Sequence, residues 1–319
     1  MTAGAAPPRY AYLGPEGTFT EAALTAALAA AGGAAAGAER VAYASVPAAL
    51  DAVRVGEVEG AMVPFESSVG GSVPTTLDEL ASGAPLVIRA ETHLPVAFAL
   101  LARAGTATAD VRSVAGHPQA LLQCRRWLRD KLPGAETVEA ASNTAAARLV
   151  ADGVHDAALA PLPAAQTYGL EVLAADVHDV AGAETRFVLV VRPEAPGSAT
   201  GSDKTSLVLV IRDDHPGALL EILTEFAVRG INLTRIESRP TGDGIGDYFF
   251  SVDAEGHVDE ARVGEALIGL HRICADVRYL GSYPRADGGR PVLRRGVSDA
   301  EYAQAQAWLA RVREGRARS

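Results

Sequence analysis

From residue 9 to residue 191 the chain alternates between two kinds of run. Short stretches rich in apolar and β-branched residues, at 10–13, 41–44, 61–64, 95–101, 113–115, 138–141, 157–160 and 186–191, read as strands. Alanine-rich stretches between most of them, such as 21–31 and 144–151, read as helices. Strands alternating with helices predict an α/β class with parallel sheets covered by helices. The segment 192–204, RPEAPGSATGSDK, breaks this rhythm with Pro, Gly and Ser and predicts a linker. The pattern then restarts as strand 206–211, helix 217–228, strands 232–239 and 247–252, helix 259–272 and strand 277–283. That βαββαβ order predicts a ferredoxin-like second domain. Beyond Arg285 the chain is first polar and then helical over 298–313, with alanines and Trp308 at helical spacing.

Length and charge narrow the function. A chain of 319 residues is long enough for two or three domains. Its formal net charge of −10 argues against a nucleic-acid binder, which carries a basic field. Only Cys124 and Cys274 occur, in different expected domains, so a reducing cytoplasm is expected rather than a disulfide framework. No Cys/His spacing suits a metal, no signal peptide is visible at the start, and the apolar run 94–104 is too short to span a bilayer. No GxSxG, P-loop or dinucleotide fingerprint is present, so no cofactor is expected.

Four hydroxyl-rich turns carry the candidate chemistry. In the first, Gly14-Pro15-Glu16-Gly17 turn the chain after a strand, and Thr18 and Glu21 have capping-box spacing; taken alone, this piece is better explained as a well-made strand-to-helix turn. In the second, Glu66, Ser67 and Ser68 follow a strand, Gly70-Gly71 let a ligand approach the backbone, and Ser72 and Thr75 precede a helix. In the third, Ser142 or Asn143 caps a helix whose open N–H groups favour an anion. In the fourth, Thr185-Arg186-Phe187 open a buried strand, where an arginine can fork onto a carboxylate or form a structural ion pair with Glu66 or Glu184. Together the turns suggest a pocket for a carboxylate-bearing metabolite.

GPEGTFTEAAL, the Pro-x-Glu-x-Ser loop, the Ser-Asn-Thr-Ala turn, Tyr168-Gly169-Leu170 and Thr185-Arg186-Phe187 occur in the order found in prephenate dehydratases, and the chain resembles that family over about residues 9–285. HPGALLEIL from His215, GINLTRIESRP from Gly230 and the closing YLGSYPR resemble its ACT regulatory module. The resemblance is to the monofunctional actinobacterial form, since no chorismate mutase helices precede the domain. It implies a two-lobed, periplasmic-binding-protein-like catalytic domain over 9–191, with lobe 1 at about 9–100 plus 181–191 and lobe 2 at about 105–180. A linker at 192–204, a ferredoxin-like ACT domain at 205–285 and a partly helical tail at 286–319 follow.

The implied reaction is the loss of water and carbon dioxide from prephenate, giving phenylpyruvate for L-phenylalanine biosynthesis without cofactor or metal. By resemblance, Thr185, Arg186 and Phe187 are the catalytic set. Thr18, Glu66, Ser67, Ser68, Gly71, Ser142, Asn143 and Thr144 line the substrate. Gly217, Ala218 and Leu219 offer backbone to L-phenylalanine as effector, with Asn232 and Leu233 facing it from a partner in a homodimer or homotetramer. The chain departs from the family pattern at Ser67, at Gly70, at Ala181-Gly182-Ala183-Glu184 and at Pro161-Leu162-Pro163, which leaves open reduced or redirected activity. Two rivals are a prephenate decarboxylase that keeps the ring hydroxyl and a non-catalytic amino-acid sensor; the bland reading of the ACT module is dimerisation alone.

Overall fold

The protein is described by a computed structural model over residues 7–241 and 248–316, so the expected strand start at Asp247 lies outside the described residues. The chain divides into two compact units, residues 1–79 with 92–190 and residues 80–91 with 191–319.

The first sheet is built from β1 (Arg9–Leu13), α1 (Phe19–Ala31), β2 (Glu39–Tyr43), α2 (Val46–Arg54), β3 (Gly60–Ser67), β4 (Gly71–Ser72), α3 (Pro74–Ala81) and β5 (Val87–Pro95). The second uses β6 (Ala99–Ala102), β7 (Ser113–Gly116), α4 (Pro118–Gln123), α5 (Arg125–Lys131), β8 (Glu136–Glu139), α6 (Asn143–Ala151), β9 (Ala157–Ala160), α7 (Leu162–Tyr168) and β10 (Glu171–Ala174), after which β11 (Glu184–Val191) returns to the first. The strand orders are β2-β1-β3-β11-β5, with β4 on β3, and β10-β6-β9-β7-β8. Two sheets, each with its own core, give the two-lobed arrangement that the resemblance implied. β1 runs parallel to β2 and β3, with Ala11, Leu24, Leu50 and Met62 wholly buried around them.

Two expectations need correction. The second sheet is mixed rather than parallel: β7 is parallel to β8 and β9, whereas β6 is antiparallel to β9 and β10. No α-helix flanks β6 in sequence, so it does not belong to the helical crossover that parallel pairing needs. The apolar run 95–101 is also not one strand. β5 ends at Pro95, and residues 96–98 carry the chain between lobes: the Val96 N–H donates to Ala183 O at 2.8 Å and Phe98 O accepts from the Val177 N–H at 3.0 Å. Phe98 then packs edge-on against Phe19, centroids 6.0 Å apart. β8 begins two residues earlier than the pattern suggested, since its parallel register on β7 pairs Ser113 with Glu136.

The second unit contains β12 (Asp203–Val210), α8 (Ala218–Ala227), β13 (Leu233–Pro240), β14 (Tyr248–Glu255), α9 (Ala261–Ile273) and β15 (Asp276–Pro284), in the expected βαββαβ order. Its antiparallel sheet runs β13-β14-β12-β15 and buries Leu207, Leu209, Ile222, Phe226, Val252 and Leu270 under the two helices. β12 takes up Asp203 and Lys204, which polarity alone places in the linker. Asp203 is buried because its carboxylate accepts from the Thr200 N–H and hydroxyl and from the Gly201 N–H at 2.7–3.0 Å.

The tail belongs to this unit. Arg294 donates to Ala227 O and Val228 O at the end of α8, Val297 is buried, and Ser298 starts α10 (Asp299–Arg313) with a full capping box on Glu301.

Residues 80–91, which precede and open β5, also lie on this unit, along the edge strand β15. Arg278 donates to the carbonyls of Leu80, Ser82 and Gly83 at 3.4, 2.8 and 3.2 Å. Gly281 sits so close to Ile88 that a Cβ there would collide with the Ile88 carbonyl. Lys204 Nζ meets the Glu91 carboxylate at 3.0 and 3.2 Å, with both side chains buried.

Candidate active site

The strand end that opens β11 carries the densest chemistry. Thr185 is half-buried at its start, while Arg186 and Phe187 are 6 % and 2 % exposed. The Arg186 guanidinium lies 4.6 Å from the centroid of the Phe65 ring, and its Nη1 is 3.7 Å from Glu66 Oε2. The ion pair that the sequence offered as the bland alternative is therefore present. Phe187 fills the core and presents no polar group, so its part is packing.

Ser68 fixes this strand end to the loop after β3. Its N–H donates to Glu184 O and its Oγ accepts from the Glu184 N–H, both at 2.9 Å. Ser67 Oγ accepts from the N–H groups of Val69 and Gly70 at 3.4 Å, which curls the loop so that Gly70 and Gly71 form its tip. Gly71 has φ +74, a conformation that glycine adopts without strain.

The other lobe meets that tip. A Cβ at Gly70 would collide with the Gln119 amide, on the helix start capped by His117. The His117 N–H in turn donates to Asn143 Oδ1 at 3.0 Å, so Asn143 ties two turns together. Ser142 caps α6 through the Ala145 N–H at 3.0 Å and pairs with the buried Thr144 hydroxyl at 3.2 Å. Thr144 then faces the first turn: a Cβ at Gly17 would lie 3.6 Å from Thr144 Cγ2 and 3.5 Å from Thr167 Oγ1. Thr18 caps α1 through the Glu21 N–H and donates to Leu13 O, while the Glu21 carboxylate reaches the Gly17 N–H at 2.7 Å. These contacts link the four turns singled out from the sequence in a row: the Thr185 turn to the Ser68 loop, that loop to the start of α4, α4 to the Ser142 turn, and that turn to Gly17.

Sequence reasoning missed four contributors. Gln119 meets Gly70 and Thr167 meets Gly17 from the second lobe, the Tyr168 hydroxyl donates to Glu16 O at 3.4 Å, and Tyr12 stands in β1 close to the carboxylates of Glu16 and Glu21. Burial, then the carboxylates of Glu21 and Glu16, push the Tyr12 phenol up to about 12, so it stays a hydrogen-bond donor. Burial also raises Tyr168. Only Tyr168 had a linear signal, in Tyr168-Gly169-Leu170. Gln119 and Thr167 become neighbours of Gly70 and Gly17 only when the lobes meet. Among the described residues no group of His, Cys, Asp and Glu could hold a metal, and no helix is long and apolar enough to cross a membrane.

On the second unit a cavity of about 430 Å³ opens beside the start of α8. Gly217, Ala218 and Leu219 line it, together with Ser238, Tyr248 and Phe250 from the facing strands. The Ala218 N–H closes a turn onto His215 O at 3.1 Å, so the open donors are those of Leu219 and Leu220 in the first helical turn. Asn232 and Leu233 lie elsewhere on this chain: Asn232 O accepts from the Glu255 N–H and Leu233 packs on the core.

Comparison with known proteins matches this architecture. The family model for prephenate dehydratase covers residues 10–195, and the ACT domain model covers residues 206–272. A prephenate dehydratase of Mycolicibacterium vanbaalenii is 53% identical, over 97% of this chain and 99% of that protein. The crystal structure of prephenate dehydratase in complex with L-Phe from Arthrobacter aurescens superposes with a TM-score of 0.89 at 48% identity, covering 96% of this chain and 99% of that one. A solved protein described as a novel type of quorum quenching acylase is 29% identical with a TM-score of 0.76, covering 86% of this chain and 97% of that one. By both family models and by identity over nearly its whole length, this chain belongs to the prephenate dehydratase family and carries that family's catalytic region followed by an ACT domain.

Proposed function

We propose that the four linked turns form the site at which prephenate becomes phenylpyruvate, and that the ACT domain makes this step responsive to phenylalanine. What supports the reading is the run of contacts that links the turns carrying Thr185, Ser68, Thr144 and Gly17 across the two lobes.

The substrate is a dianion with a ring hydroxyl para to one carboxylate. The bond from the ring to that carboxylate breaks, its electron pair enters the ring, and the opposite C–O bond breaks. Carbon dioxide and, with one proton taken up, water depart, and the ring becomes aromatic. The protein's task is to hold the dianion and help the hydroxyl leave. Arg186 grips a carboxylate, and the α6 start, capped by Ser142, supplies a second anion-favouring end. Thr185 donates to the departing oxygen. A threonine hydroxyl is too weak an acid to supply the proton alone, so it relays one from water or a neighbour. Glu66, Ser67, Asn143 and Gly71 shape and position the loops around the substrate.

In the ACT cavity the effector's carboxylate meets the start of α8 at Gly217, Ala218 and Leu219. Its side chain rests on the apolar wall, and Asn232 and Leu233 of a second copy complete the site in a homodimer or homotetramer. The test is incubation of the pure protein with prephenate, following the strong alkaline ultraviolet band of phenylpyruvate, with and without phenylalanine. Thr185→Ala should lower turnover by about 10² or more without altering the unfolding midpoint. Normal turnover by that variant ends the assignment of Thr185. A non-aromatic keto acid as product supports the decarboxylase reading, and phenylalanine binding without turnover supports the sensor.

A further inference from the structure

One part of the regulatory unit, residues 80–91, comes from the catalytic stretch of the sequence. Residues 80–91 lie along β15: 80–83 meet Arg278, Ile88 meets Gly281, and Glu91 meets Lys204 and the Ala286 N–H, the last at 2.9 Å. Covering a sheet edge is one service such a segment provides. A buried ion pair does more than cover. Glu91 and Lys204 side chains are 1% and 9% exposed, and burying a charge this way is costly unless its partner is held in place. The pair therefore reports small displacements of either strand.

Both strands lead to functional places. β12 carries Lys204 at one end and Val210, which lines the effector cavity, at the other, roughly 20 Å away at the rise of an extended chain. β5 passes without a break from Glu91 into 92–95 of the catalytic unit, where its neighbour in the first sheet is β11, the strand that begins Glu184-Thr185-Arg186. Val96, the next residue, is bonded to Ala183 O, two residues before Thr185.

We propose that the Lys204–Glu91 pair, with the Arg278 clamp beside it, positions β5 and is the route by which occupancy of the ACT cavity reaches Thr185 and Arg186. The proposal rests on the reading of the protein as a phenylalanine-responsive dehydratase. It assigns Lys204, Glu91 and Arg278 as positioning residues that touch neither substrate nor effector. β12 and β15 are rigid members of one sheet, so a shift at the Val210 end is passed to Lys204, and the buried pair obliges Glu91 and β5 to follow.

The experiment measures prephenate turnover against phenylalanine concentration for the wild type, Lys204→Met and Arg278→Gln, with phenylalanine binding measured by calorimetry on the same samples. The expected result is that both variants keep turnover without effector within about threefold of wild type and still bind phenylalanine. The change in kcat/KM on saturation should shrink about tenfold, within the usual span of coupling between sites. Hydrogen exchange over 80–95 should respond to phenylalanine in the wild type and lose that response in the variants. If Lys204→Met does not fold, Arg278→Gln, which breaks partly exposed carbonyl bonds only, decides alone. Variants inhibited like the wild type would overturn the proposal. A wild type that turns over prephenate with no response to phenylalanine would instead overturn the regulatory reading, and the proposal with it.

Discussion

Replacing Arg186 with methionine separates the two jobs that a buried arginine can have. At 3.7 Å and an effective dielectric of about 20, the attraction between Arg186 and Glu66 is about 4 kcal/mol. The stacked Phe65 ring adds about 2 kcal/mol at most. Against this stands the desolvation of a guanidinium that is 6% exposed, several kcal/mol even after relaxation. Glu66 keeps 38% of its side chain in water, so it is not stranded when its partner goes. These contributions nearly cancel, and methionine packs well on an aromatic ring. Arg186→Met should therefore move the stability measured by urea unfolding by no more than about 1 kcal/mol.

If Arg186 holds a substrate carboxylate, losing its charge-assisted hydrogen bonds costs roughly 3 kcal/mol, or about 10²-fold in kcat/KM. Arg186→Lys keeps the charge and loses the fork, and should fall between the two. The assay is phenylpyruvate formation alongside urea unfolding on the same preparation. An Arg186→Met enzyme with kcat/KM within threefold of wild type would refute the substrate role. A loss of stability above about 3 kcal/mol would show the balance of charge and burial to be misjudged.

Two further outcomes are expected. Asp156 accepts hydrogen bonds from the N–H groups of Arg112 and Ser113 and from the Ser113 hydroxyl, which hold its carboxyl below the usual carboxylate range. A folded-state value below the unfolded one stabilises above the unfolded value, near pH 4, and the benefit disappears as pH falls through the folded value. The urea midpoint of Asp156→Asn should trail wild type at pH 7 and converge with it at low pH; a gap that stays constant down to acid would refute this. Gly217 has φ +100, so Gly217→Val should strain the turn before α8 and abolish phenylalanine binding by calorimetry while turnover without effector persists; retained binding would remove the α8 start from the effector site.

Much of this molecule was legible in one dimension because its chemistry sits in turns that follow strands. Capping at Thr18 and Ser142 and the buried strand after Thr185 announce themselves through residue type and period. The illegible parts share a cause: they are set by what crosses from elsewhere. The run 95–101 looks like one strand, but Ala183 and Val177 recruit its middle as a crossing between lobes. β5 is polar in alternation and ends in proline, and it becomes a strand because β11 lies beside it. Gln119 has no motif of its own and matters because Gly70 of the other lobe leaves room for its amide. Asp203 and Lys204 look like linker and are buried because Thr200 and Glu91 receive them. Family resemblance, rather than periodicity, supplied the roles of Thr185 and of the turn at Gly217.

The twelve residues from Leu80 to Glu91 give the polypeptide an interleaved construction: the chain visits its C-terminal body before it has finished its N-terminal one. Proteolysis or a stop codon in the polar stretch near residue 195 would not release two tidy modules. The N-terminal product would keep a ribbon severed from its bed, and the C-terminal one would show β15 as an unsheathed, adhesive border. Transplanting the sensor onto another enzyme would therefore require carrying this ribbon along with it.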